Sequence, residues 1–200
     1  METHAPQQAL CVSCGFCCDG TLFGSVPLQA ADVLVPLQAG GIEIQAKETE
    51  QYFNQPCAAY RQRCCQIYTS RPATCRKYRC ELLKKYEIAA ISWAEAQQRI
   101  GRVQTLKETL RTEVARIVPD GNRMSVVAVL SLVPTHRELA ADPDLLKTWA
   151  PVMLRLSALL DCLHTHFQPP RQDHGQASGD AVSDDGTTAS PLLRRRQQSS

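Results

Sequence analysis

Cys11-Val12-Ser13-Cys14-Gly15-Phe16-Cys17-Cys18 places four cysteines within eight residues, close to the start of a chain of 200. Five more follow by position 80: Cys57, Cys64, Cys65, Cys75 and Cys80. Free cysteine in a core behaves as a small hydrophobe and is scattered singly. Nine thiols in seventy residues therefore mark chemistry rather than packing. Disulfides, zinc, and iron with sulfide are the three chemistries open to such a pattern.

The rest of the chain narrows the choice. A hydrophobic content of 44% over 200 residues is enough for one core with an appendage. A net charge of +2 lends nucleic acid no global support. The opening residues, Met1 to Gln8, carry neither a basic region nor an apolar run, so they do not read as a secretory signal. The longest apolar stretch, Ser125 to Val133, is about half of the ~20 residues that a spanning helix needs. The expectation is a cytoplasmic protein with no membrane association. In that reducing compartment dense cysteines are metal-binding or catalytic. Vicinal cysteines also bridge each other poorly, because a disulfide wants Cα atoms roughly 4.4 to 6.8 Å apart and a near-perpendicular dihedral. Disulfides are disfavoured on both grounds.

A thiolate is a soft anionic ligand, and four of them suit tetrahedral zinc or the corners of an iron–sulfur cluster. The two-residue gaps between Cys11, Cys14 and Cys17 are common to both. They resemble the ferredoxin-like C-x2-C-x2-C run, in which the fourth ligand follows after three residues. Here Cys18 is adjacent to Cys17 instead, and two vicinal thiols cannot both address one metal without strain. Either the two serve different metals, or one is not a ligand.

Glycines at 15, 20 and 24 predict loop geometry for residues 1–24, and a short helix is expected within Val26–Ala39, weakened by Pro36 and stopped by Gly40-Gly41. Residues 42–56 read as a surface helix or loop. Residues 57–80 read as a knuckle-like coil around a centre. Ser92 and Glu95 form a capping box for a long helix whose apolar face runs through Ile100, Val103, Leu106, Leu110, Val114 and Ile117. Met124–Val133 suits a strand by its valines and a helix by its neighbours, and helix is the expectation. Asp142-Pro143 opens a second long helix, with Leu145, Trp149, Val152, Leu156, Leu159, Leu163 and Phe167 on one face. The fold class expected is mainly α: an irregular cysteine-rich metal-binding module at 1–86, a hairpin of two long helices at 87–167, and a disordered polar tail at 168–200.

Between Arg61 and Lys85 stand eight basic residues against the single acid Glu81, a local charge of +7. Neutralisation of nearby thiolates accounts for it better than anion binding or partner docking, although Tyr60, Tyr68 and Tyr78 are interleaved as a nucleic-acid stacking platform would be. His164 and His166, two apart near a helix end, cannot chelate together and are expected at the surface. No phosphate loop, dinucleotide-binding glycine fingerprint or nucleophile elbow is present, nor is the C-x3-C-x2-C spacing of radical enzymes.

With these residues in hand, the chain resembles the CxxCxxCC family of zinc- or iron-chelating proteins, the YkgJ-type group of bacteria. The matching elements are Cys11-x2-Cys14-Gly15-Phe16-Cys17-Cys18, Pro56-Cys57, Cys65-Gln66-Ile67-Tyr68, Arg71-Pro72, and Cys75-Arg76 with Tyr78 and Cys80. The resemblance implies eight ligands: Cys11, Cys14, Cys17, Cys18, Cys57, Cys65, Cys75 and Cys80. These would hold two four-ligand centres, or one iron–sulfur cluster with spare thiols. Cys64 is an extra, and Cys162 lies outside the motif. Some larger relatives look like flagellin lysine methylases, an activity that is not carried over. The expected function is metal binding through an iron–sulfur cluster or zinc, with a redox or accessory role. The alternative is a structural zinc module docking a protein or nucleic acid through its basic face.

Overall fold

The computed structural model describes residues 6–169 and is mostly helical. The tail expected from residue 168 onward lies almost wholly outside the described residues. Helix α1 spans Pro6–Cys14, so the loop expected at the N-terminus is a helix as far as Cys14. Its proline stands at the first helical position, where a missing N–H costs nothing. Gly15 closes it at φ +71°, with its N–H donating to the Cys11 carbonyl at 3.0 Å. That left-handed cap is a common way for a helix to end, and a side chain here would collide with the Tyr60 phenol.

Strand β1 (Ser25–Pro27) occupies the start of the segment expected as helix, and α2 (Leu34–Ala39) its end. Pro36 falls in the first turn of α2, where it breaks no hydrogen bond. Residues 42–56, expected as a surface helix or loop, hold two short strands with irregular backbone on either side. The strands are β2 (Gln45–Lys47) and β3 (Glu50–Asn54), which pair antiparallel around a two-residue turn, and β1 pairs on the other side in the order β1-β3-β2. Alternation is weak in these strands because, of their residues, only Val26 of β1 and Phe53 of β3, opposite one another, are buried. Strands β4 (Tyr60–Arg61) and β5 (Cys64–Cys65) make a tight hairpin whose turn residues, Gln62 and Arg63, both take positive φ.

Short helices α3 (Ala73–Lys77) and α4 (Glu81–Glu87) lead to α5 (Trp93–Val114). The capping box is as expected: Ser92 N–H donates to Glu95 at 2.7 Å, and Glu95 N–H to Ser92 Oγ at 3.2 Å. Helices α6 (Val126–Leu132) and α7 (His136–Ala141) follow, the latter on a second capping box of Thr135 and Glu138. Helix α8 (Pro143–His166) is capped by Asp142, whose carboxylate accepts from the N–H groups of Asp144 and Leu145. Pro151 sits on its exposed side, where water can take the carbonyl it leaves without a donor. His164 and His166 lie near the end of α8, each partly exposed.

Helices α5 and α8 pack against each other along the faces read from their apolar rhythm: Ile100, Val103, Leu110 and Val114 against Val152, Leu156, Leu159 and Leu163. The same core takes in Leu10, Phe16 and Leu22 from the cysteine-rich end. A second, smaller core gathers Val26, Leu37, Ile42, Phe53 and Ala59 beneath the sheet and α2. Among the described residues, no helix is long and apolar enough to cross a membrane.

Candidate metal centre

Four elements and the turns between them present the eight thiols implied by the resemblance. Cys11 and Cys14 lie one turn apart on α1, while Cys17 and Cys18 lie in the turn that follows Gly15. Cys57 is joined to that turn, its N–H donating to the Cys18 carbonyl at 2.8 Å. Cys65 comes from β5, Cys75 from α3, and Cys80 caps α4, its sulfur accepting from Leu83 N–H at 3.4 Å. A bond from Glu81 N–H to the Phe167 carbonyl, 3.2 Å, fixes this last position to the end of α8. All eight line one cavity of about 390 Å³.

Within that cavity the thiols fall into two sets of four. Burial pushes Cys17 well up, and Cys14, Cys80, the adjacent Cys18 and Cys11 push it further; Cys14 is raised by burial, eased by the Phe16 N–H, and raised again by Cys80 and Cys11. Cys18 is raised by burial and then by Cys57, Cys65 and Cys75, and Cys75, pushed up to about 11, feels burial first and then Cys57 and Cys65. Packing divides six of the eight in the same way. Cys14, Cys17 and Cys80 lie against the helical core; Cys18, Cys57 and Cys75 lie against the smaller one. The vicinal pair is thus split, Cys17 to one side and Cys18 to the other. As the side chains stand, no three His, Cys, Asp or Glu groups among the described residues close tightly enough around one point to hold a single metal ion. Each set is an open arrangement facing the cavity.

The donor chemistry fits a thiolate-bound metal. Backbone N–H groups already point at the sulfurs: Phe16 at Cys14, Ala59 and Tyr60 at Cys57, Ile67 at Cys65, and Leu83 and Leu82 at Cys80. Such bonds favour the ionised sulfur and tune whatever it binds. Of the eight basic residues, Arg63, Arg71 and Arg79 reach the cavity wall. Arg71 stacks on Tyr68 at 3.5 Å, donates from Nε to the Tyr68 carbonyl at 2.9 Å, and counters the burial of Cys11, Cys65 and Cys75 alike. Tyr60 and Tyr78 also stand on the wall rather than on an open platform; burial pushes Tyr60 up to about 12, and Tyr78 meets Phe23 edge-on at 4.8 Å.

The remaining cysteines stand apart. Cys64 alternates with Cys65 along β5 and so projects away from the cavity, its sulfur 3.9 Å from the Cys65 carbonyl. Cys162 is buried in the face of α8, in the helical core. All ten cysteines are unbridged. The residue that the apolar rhythm concealed is Lys107: it occupies a core position of α5, is only 7% exposed, and pairs with Asp19 beside Cys18. A lysine interrupting an otherwise apolar stripe was the available signal.

Fold and site together define a mostly helical, cysteine-rich module built around a thiol-lined cavity. Residues 10–100 match the model of the CxxCxxCC family, described as a putative zinc- or iron-chelating domain. No curated protein and no solved structure matches the chain.

Proposed function

We propose that this protein holds two metal centres of the iron–sulfur type, one on Cys11, Cys14, Cys17 and Cys80, the other on Cys18, Cys57, Cys65 and Cys75. The observation that supports this reading is that the vicinal pair packs apart, Cys17 with Cys14 and Cys80 against the helical core and Cys18 with Cys57 and Cys75 against the smaller one, with Cys11 acting on the first group and Cys65 on the second. Four thiolates saturate one tetrahedral zinc or one cluster. A single zinc with sulfurs at ~2.3 Å would draw each set to within about 4 Å of one another. The cavity of about 390 Å³ that the eight thiols line has room for the larger cluster. When bound, such a cluster supplies one-electron redox chemistry.

The chain's own residues supply the rest: N–H groups that stabilise ionised sulfur, Arg71 between the two sets as a shared counter-charge, and apolar walls that limit water. The cysteine-rich module of residues 1–86 and the two packed helices of 87–167 act as one body in this reading, because Leu10, Phe16 and Leu22 are part of the helical core. Ten unbridged thiols suit a reducing, cytoplasmic setting. Iron, zinc and acid-labile sulfide measured on anaerobically purified protein, together with its visible spectrum, test the proposal. Iron and sulfide sufficient for two clusters are expected; two zinc ions without sulfide would replace the redox role with a structural one, and neither metal would end both.

A further inference from the structure

Helix α5 sends polar side chains into the cysteine segment at both ends of Cys14-Gly15-Phe16-Cys17-Cys18. At the near end Gln97 donates from Nε2 to Ser13 Oγ at 2.8 Å, and Gln104, two turns further along the same face, donates to the Ser13 carbonyl at 3.4 Å. At the far end Lys107 donates from Nζ to Asp19 Oδ2 and lies 5.0 Å from the centre of the Phe16 ring. The other oxygen of Asp19 accepts from Thr21 N–H at 3.0 Å, which fixes the carboxylate and the turn together. These contacts join positions more than eighty residues apart. Helix stability does not require them: the face of α5 at Lys107 is otherwise apolar, and a desolvated lysine there is unfavourable unless its partner is worth holding.

We infer that α5 is a template that sets the geometry of the vicinal cysteines, with Lys107 and Gln97 as positioning residues that hold Cys17 toward one thiol set and Cys18 toward the other. The inference rests on the two-centre reading. Two adjacent residues can serve separate centres only if the backbone between them is held in one orientation. Asp19, next to Cys18, and Ser13, next to Cys14, are where α5 grips it. Lys107 also brings a positive charge to the turn that both centres share. Outer partners of metal ligands change metal affinity by about 10- to 100-fold when removed.

The test uses the full chain as purified with its metal, and compares wild type, Lys107→Met, Lys107→Arg and Gln97→Ala. Release of iron to bathophenanthroline, or of zinc to EDTA, is timed for each, and the unfolding of the metal-free chains is followed by helical circular dichroism. Methionine fills the space of Lys107 but leaves the partly buried Asp19 without its cation, so the metal-free Lys107→Met chain is expected to melt lower than wild type. Held well below that melting point it should release metal about 10-fold faster or more, Lys107→Arg should recover part of the difference, and Gln97→Ala, which removes no charge, should also release faster. If Lys107→Met does not fold, the half-buried Gln97 decides, since its loss leaves the core intact. Release at the wild-type rate in the folded variants overturns the inference while leaving the two centres in place; a wild-type chain with fewer than two centres overturns the two-centre reading itself.

Discussion

The decisive residues are the two cysteines that share a peptide bond. Cys17 and Cys18 are assigned here to different centres, so Cys17→Ser and Cys18→Ser should each lower the metal content to about half and leave the other set loaded, while Cys64→Ser, on the outward side of β5, should leave it unchanged. Metal and sulfide per chain, measured on each purified variant, check all three. Retention of only one centre in wild type, or loss of both on either substitution, would contradict the split. Gly15 is the other residue on which the turn depends. It is held at φ +71° with Tyr60 against it. Gly15→Ala should cost about 2 kcal/mol or more in denaturant unfolding of the metal-free chain, since alanine is strained there and meets the phenol.

Elements matter by what they present. Helix α1 carries Cys11 and Cys14 on one face because C-x2-C is one helical turn, and the hairpin β4–β5 reaches back to it through Arg63, whose Nη2 donates to the Ser13 carbonyl at 2.9 Å. Helix α5 is the counterpart from the second half of the chain, and its start is set by the Ser92–Glu95 box. Ser92→Ala removes one of the two bonds of that box and should destabilise the chain by about 1 kcal/mol, read as a lower denaturant midpoint with unchanged slope. Because Gln97 lies in the second turn of α5, fraying there should also quicken metal release; release unchanged in a destabilised Ser92→Ala chain would show that the first turns of α5 do not bear on the site.

At the scale of the whole molecule, metal and fold are linked through protons. In the metal-free chain burial holds the thiols neutral, and Cys75 is pushed from the ordinary 9.0 to about 11. Below pH 9 the thiols are protonated in both folded and unfolded chains, and their contribution to stability is fully present. Between 9 and 11 the unfolded chain ionises first, so metal-free stability should fall as pH rises, by at most about 1.4 kcal/mol per pH unit for each thiol. Urea midpoints of the metal-free chain at intervals across that window measure it. Metal binding runs the other way, since thiolate is the ligand: affinity should rise with pH and loading should release protons. Removing metal should therefore lower the melting temperature at neutral pH, and a chain whose melting is the same with and without metal would show centres that do not support the fold.

Local pattern was enough for the helices with strong rhythm and caps. Ser92 with Glu95, and Asp142 with Pro143, announced α5 and α8 because capping and apolar periodicity act within a few residues. It was not enough for β2 and β3, whose strands bury little beyond Phe53, or for α1, because a glycine such as Gly15 suits the end of a helix as well as a loop. The identity and order of the thiols, and the conflict posed by Cys17 beside Cys18, were determined by the sequence alone. Which thiols keep company was decided only in three dimensions, because it depends on how two cores and two ends of the chain pack: Cys80 joins Cys11 through the seat of α4 on Phe167, and Lys107 meets Asp19 across eighty-eight positions that no local pattern spans.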